Sequence, residues 1–363
     1  MPASTFDIRN SIRIAGAFIA WVIGSGFATG QEMLRFYASF GLYGYGAVAV
    51  NLIGFLGMAY LLMRTGFEHK KEPGFNPFPF FCGQRLGLVY TWLIIATLIL
   101  LMPVLVAGAG ATLYEYYRVP QPLGSAVMTG LLLAAYLMGF ERLIQIISSI
   151  GPVIIVFSLA IGCGAIAADY GQFSQIESYE SALAPYQAAP NWFLSAVLHL
   201  SLNFFPPSMY FTRLGVSAAS KQELRAGAFL GAFVVILCIA VMTTAILLNG
   251  NDAAGLDIPV LYLAQKLHPL LGAAFSITLL LGIFSSSSVM MWSICSRVTC
   301  WGKQGNVAFA VAVALFTYVV SLFSFGRLVA VLYPAIGYAG LLFIACVVYK
   351  NFKGKLQVEF EQP

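Results

Sequence analysis

Asp, Glu, Lys and Arg are spaced so as to bound ten stretches free of all four: 14 to 31, 36 to 63, 86 to 114, 119 to 140, 143 to 168, 181 to 212, 226 to 251, 267 to 296, 304 to 326 and 328 to 349. A helix needs about 17–25 residues to cross the hydrocarbon of a bilayer, so the pattern predicts ten spans. The period-two alternation of a membrane barrel is missing, because runs such as 93 to 106 (LIIATLILLMPVLV) are apolar on every side. In lipid such a backbone satisfies its hydrogen bonds within helices, and the expected fold class is an all-α integral membrane protein with ten transmembrane helices.

Two of the ten stretches make poor helices. The first carries Gly24-Ser25-Gly26 in mid-span, and each glycine costs a helix roughly 1 kcal/mol relative to alanine. The sixth carries Ser201-Leu-Asn203-Phe-Phe-Pro206-Pro207-Ser208, where two prolines remove donors and push the residues before them out of the helical region. A break in hydrocarbon is tolerated where protein, water or a ligand supplies partners. For the glycines a close helix contact between small residues is the competing explanation. The breaks lie five spans apart. The chain therefore divides into halves, 1–168 and 189–350, with an extracellular linker 169–188 between them and a cytoplasmic tail 351–363. Because five is odd, the halves have opposite topology, which is the 5+5 inverted-repeat pattern of secondary transporters with discontinuous helices 1 and 6.

Composition agrees and narrows the class. The chain is 60% hydrophobic and 9% charged over 363 residues, far from an ordinary soluble domain. That excludes a soluble enzyme, a disordered chain, a nucleic-acid-binding domain and a disulfide-rich secreted module. The six cysteines show no CxxC or Cys/His metal spacing and read as small packing residues. Arg9 and Arg13 before an apolar run resemble the start of a signal peptide, but mid-run glycines and nine further spans favour a retained helix. Fifteen of the Lys and Arg residues fall at one side, among them Arg64, Lys70, Arg142, Arg213 and Arg297, and four at the other, Arg35, Arg118, Lys266 and Arg327. The positive-inside rule then places both termini in the cytoplasm. With no HExxH, no GxSxG and no inward pair of acids, no enzyme activity is expected.

The interrupted helices suggest a site. The second half of span one, starting near Phe27, presents free N–H groups and a positive dipole end to an anionic group held against Gly24, Ser25, Gly26 and Phe27. The carbonyls of Ser201 to Phe204, with Asn203, suit an ammonium or hydroxyl group. A zwitterion fits both ends. Phe204, Phe205 and Tyr210 are candidates either to cover it or to pack. Ser285 to Ser288 put four consecutive hydroxyls in an apolar helix, where they line a cation site or bond back to their own carbonyls. Glu32 and His199 are ionisable inside spans and so are candidate proton or gating groups. Glu32 pairing with Arg35, and a neutral His199 bonded to a carbonyl, are the structural alternatives. Ser148-Ser149-Ile-Gly151-Pro152 reads as a kink in span five.

The run Ile23-Gly-Ser-Gly-Phe-Ala-Thr-Gly-Gln-Glu-Met-Leu34 resembles the opening of the YkvI-type bacterial membrane proteins, in the amino acid-polyamine-organocation superfamily of LeuT-like fold. The resemblance implies a Na⁺ site in which Ser287 and Ser288, with carbonyls of Phe284 or Ser285, meet carbonyls of Ala20 and Ile23. Some proton-coupled relatives use a lysine in span five instead, and 143 to 168 contains none, which favours Na⁺ over H⁺. The expectation is a cation-coupled carrier of a small amino acid or related zwitterion in the bacterial cytoplasmic membrane. A nutrient sensor that binds without transport is the alternative. The expected partners are a small-molecule solute and membrane lipids, with no nucleic acid, no cofactor beyond Na⁺, and the oligomeric state left open.

Overall fold

The computed structural model describes residues 7–72, 74–139, 151–296 and 302–360. Ser148 and Ser149 of the span-five kink, and Arg142 and Arg297 of the basic side, lie outside the described residues, as does the Ser25 side chain. The first charge-free stretch is divided among α1 (Ile8–Val22), α2 (Ser25–Thr29) and α3 (Gln31–Phe36). Then come α4 (Gly44–Glu68), α5 (Pro77–Tyr117), α6 (Gln121–Leu137) and α7 (Gly151–Ala168). The sixth stretch is divided between α8 (Trp192–Phe204) and α9 (Ser208–Val216). The chain continues through α10 (Lys221–Leu248), a short α11 (Pro259–Leu267), α12 (Pro269–Cys295), α13 (Gly302–Ser321) and α14 (Phe325–Phe360).

Among the described residues, seven helical segments are long and apolar enough to cross a membrane: 38–68, 77–117, 151–168, 221–248, 269–295, 304–321 and 325–353. Gln121–Leu137 and Trp192–Phe204 are shorter apolar helices. The molecule is an all-helical membrane protein.

Both interruptions fall where the residues demand them. At the first, Ile23 leaves the helical region and Gly24 is extended at φ −88°, ψ −168°. A second turn follows at Gly30, whose φ of +88° is the left-handed conformation that glycine adopts without strain. At the second, α8 stops at Phe204, and the Pro207 carbonyl accepts the Phe211 N–H (2.9 Å) to start α9 afresh.

The half-helices are seated by glycines. A Cβ at Gly66 of α4 would run into the Thr212 carbonyl of α9, and one at Gly215 of α9 into the Met63 carbonyl of α4. Likewise α1 lies on α10 over Gly227, which faces Ile14 and the Ser11 carbonyl, and Gly231, which faces Phe18. The first of these seats is backbone on backbone, a closeness only glycine permits. Buried Glu223 at the start of α10 ties the same pair by accepting from Asn10 Nδ2 (2.8 Å) and the Asp7 N–H (3.2 Å). Elsewhere α5 packs on α12 and α14, and α8 on α14 and α4.

Candidate functional site

Between the two interruptions lies a cavity of about 440 Å³, within the range of small-molecule sites. Its wall takes Ala20 to Gly24, Gly26 and Phe27 from the first interruption, and Leu202, Asn203, Pro206, Pro207 and Tyr210 from the second. Leu101 and Leu105 of α5, Gly151 and Ile154 of α7, Ser285, Ser286, Val289 and Met290 of α12, and Tyr333 of α14 complete it. Glu32 is the one charged side chain among the described residues that line it.

The two mid-span glycines have different roles. A Cβ on Gly24 would meet only the Trp21 carbonyl, at 3.5 Å, so this residue marks the break and is not a packing contact. A Cβ on Gly26 would stand 2.7 Å from Glu32 Oε1 and 2.8 Å from the Tyr333 hydroxyl, so Gly26 is what lets both groups reach the cavity wall.

Glu32 does not take the alternative of an ion pair with Arg35. Arg35 turns to Gln31 Oε1 (2.8 Å) and the Gly326 carbonyl (2.8 Å), while Glu32 Oε2 lies 3.2 Å from His199 Nε2. The reason is geometric: α3 is wedged against α8 and α14, which offer it an imidazole on one side and the Gly326 carbonyl on the other. His199 is correspondingly bonded to side chains and not to a carbonyl. Its Nδ1 lies 2.7 Å from the Tyr37 hydroxyl, which accepts from Asn51 Nδ2 (2.6 Å), and Asn203 Nδ2 lies 3.2 Å from Nε2. The rings of Phe36, Tyr37 and Phe55 enclose it.

Phe204 and Phe205 do not cover the cavity. Both are fully buried, Phe204 against Phe18, Phe55 and Phe211, and Phe205 against Phe78, Tyr90 and Phe343. Helical rotation explains this, since Leu202, Asn203, Pro206 and Tyr210 hold the cavity face of the interruption. Tyr210 does line it, stacked on Trp21 at 5.0 Å and donating to the Ala17 carbonyl (3.1 Å), so that α1 and α9 are joined. Ser201 points elsewhere, towards Gly340, and its buried hydroxyl has no partner among the described residues.

Of the residues expected to hold a cation, Ala20, Ile23 and Ser285 share the cavity wall. The hydroxyls of Ser287 and Ser288 lie off it, buried and without a hydrogen-bond partner, so they do not bond back to their own helix. Phe284 is half-buried beside them.

A polar network adjoins the cavity along α3, the helix that carries Glu32 to its wall. Gln31 Nε2 donates to the Leu256 carbonyl (2.6 Å), Arg35 to Gly326, and the Gly326 N–H to Asp257 Oδ1 (2.8 Å). Glu115 at the end of α5 accepts the Asp257 and Ile258 N–H groups (2.9 and 3.2 Å). Burial pushes the Asp257 carboxyl above the usual carboxylate range, against the opposing pull of the Gly326 N–H and of Arg35. Gly30 rests on Val260 and Pro259 beside this network.

No protein-family model matches the chain. The membrane protein YkvI of Bacillus subtilis (strain 168) is 24% identical over 346 residues, covering 93% of this chain and 95% of that one. YyaD of the same organism is 21% identical over 329 residues, covering 90% and 93%. This chain is a relative of the YkvI-type membrane proteins. Among solved structures, MhsT in complex with L-phenylalanine has a TM-score of 0.56 at 16% identity, covering 93% of this chain and 88% of that one. That likeness shows the fold, which is LeuT-like. Several residues of this site escape sequence reasoning. Asn51 carried a signal, being a lone amide in the apolar stretch 36 to 63, whereas Tyr333, Trp21 and Asp257 carried none.

Proposed function

We propose that this protein is a secondary transporter that carries a small amino acid or related zwitterion across the bacterial cytoplasmic membrane by alternating access. The observation that carries the reading is a cavity of about 440 Å³ set between two interrupted helices, and in this reading the polar network of Gln31, Arg35 and Gly326 beside it is its lid. Such interruptions are tolerated in lipid where they line a cavity.

In this reading the ten charge-free stretches are spans forming two inverted repeats, 1–168 and 189–350, joined by 169–188 and followed by the tail 351–363. The exchange of partners supports it. The half-helix α1 of the first half sits on α10 of the second, and the half-helix α9 of the second sits on α4 of the first. The basic side is cytoplasmic, and the lid faces outward.

The solute's anionic end lies against the backbone of residues 24 to 27, and its ammonium end against Glu32 and Asn203. The coupling ion in this reading is Na⁺, held by carbonyls of Ala20, Ile23 and Phe284 or Ser285 and by the Ser287 and Ser288 hydroxyls. The unpartnered burial of those two hydroxyls supports it, since a hard cation prefers oxygen ligands. Uptake of labelled amino acids into proteoliposomes, with and without a Na⁺ gradient, tests the proposal. Gradient-driven accumulation that Ser288→Ala abolishes is expected. Binding without flux selects a sensor, and neither binding nor flux over a broad panel overturns both.

A further inference from the structure

The charge on Glu32 needs a counter-charge, and among the described residues no lysine or arginine is paired with it. The Glu32 side chain is 10% exposed, at the cavity wall. The titratable groups facing it and its partner are His199 on α8, Tyr37 after α3 and Tyr333 on α14. Arg35 is spent on Gly326 and Gln31. A buried carboxylate without a partner charge is costly, so it is neutralised by a proton or by a cation in the cavity.

Hydrogen-bond roles at His199 point the same way. Nε2 meets a donor, Asn203 Nδ2, and a carboxylate oxygen, Glu32 Oε2, both at 3.2 Å. The two ask opposite things of one nitrogen. As an acceptor Nε2 serves Asn203 and leaves Glu32 without its hydrogen. As an N–H donor it serves Glu32, while Asn203 keeps its other bond, to the His199 carbonyl (3.0 Å). On the far side Nδ1 faces the Tyr37 hydroxyl, and Asn51 Oδ1 is buried without a partner. When Nδ1 carries a proton and donates to Tyr37, reversal of the Asn51 amide offers that oxygen to the Tyr37 O–H. Both protonation states of the imidazole can thus be accommodated.

We propose that Glu32 and His199 form a proton-binding pair that exchanges its proton with the cavity, in competition with the ammonium group of the solute. The proton is shared between Nε2 and Oε2 while the cavity holds no cation. When an ammonium group reaches Glu32 Oε1 over Gly26, the proton leaves to cavity water as hydronium, so one positive charge enters and one departs. Na⁺ at the α1 and α12 oxygens is a separate matter. For its part in coupling the proposal rests on the transporter reading, but the proton site itself does not.

The test is histidine ¹⁵N NMR on the full chain in detergent. The chain has three histidines, and His69→Gln and His268→Gln assign their own signals, leaving His199 by elimination without altering it. Its ¹⁵N signals report the protonation state of His199 as the pH is varied. In Glu32→Gln the midpoint is expected to fall by about one unit, a tenfold loss of proton affinity, and methylammonium is expected to lower it in the native protein. Tyr37→Phe keeps the pair and is expected to retain the dependence on Glu32, which guards against misfolding of one variant. A His199 that stays neutral throughout, or a midpoint unmoved by Glu32→Gln, overturns the proposal. Titration without any solute flux overturns the transporter reading alone, and flux with a silent His199 overturns the proton pair alone.

Discussion

Gly24 and Gly26 stand two residues apart and look alike in sequence, but a methyl group has different consequences at each. At Gly24 an alanine meets one carbonyl at 3.5 Å and adopts an extended backbone open to any residue. At Gly26 it displaces Glu32 and Tyr333. Gly24→Ala is therefore expected to keep solute-dependent stabilisation, and Gly26→Ala to lose it while still folding, as read by thermal unfolding with and without amino acids in detergent. A second comparison separates core from cover. Phe205→Ala is expected to cost about 3–5 kcal/mol of stability with no change in solute preference, because the ring is packed among Phe78, Tyr90 and Phe343. A shift in preference at unchanged stability would contradict its burial.

Among the elements, the half-helices α1 and α9 depend on the bodies that seat them. The α4–α9 contact brings carbonyls directly over glycine Cα atoms, so a methyl group can be accommodated only by moving a helix. Gly215→Ala is expected to cost about 1–3 kcal/mol, measured by thermal unfolding, whereas the control Gly57→Ala, which meets nothing inside α4, is expected to stabilise by up to about 1 kcal/mol. The breaks themselves were legible because glycine and proline act locally on the backbone. The partner each half-helix takes was not, since a glycine on α4 records that something comes close without saying what.

For the whole molecule, the proposed transport reading makes the polar network of Arg35 the lid that decides which side of the membrane reaches the cavity. Arg35 contributes charge-assisted bonds from inside a buried network, each worth about 1.5–3 kcal/mol. Arg35→Ala is expected to raise the labelling rate of a cysteine placed at Val260, beside the lid, at least about tenfold in a background without native cysteines. The lid also carries a pH dependence through Asp257. Its proton is held more tightly in the buried, closed form than in an exposed one, so closure is favoured as pH falls and weakened as pH rises through the raised value. Asp257→Asn removes the Asp257 share of that slope while keeping an acceptor for the Gly326 N–H, and Glu115, bonded to the Asp257 N–H, remains in place. Unchanged slope in this variant would assign the pH dependence elsewhere.

By itself the sequence determined what depends on local composition and backbone chemistry. Its charge spacing sets the apolar segments, its glycines and prolines set the interruptions, and polar residues in lipid-length runs mark Glu32, His199, Asn203 and Ser285 to Ser288 as worth attention. Tertiary structure alone decided which of these meet. Glu32 turns from Arg35, three residues away, to His199, 167 residues away, because helix packing sets the partners of buried charges. The same packing sends Phe204 and Phe205 into the core while their neighbour Asn203 faces the cavity, since a step of one residue on a helix turns a side chain by about 100°.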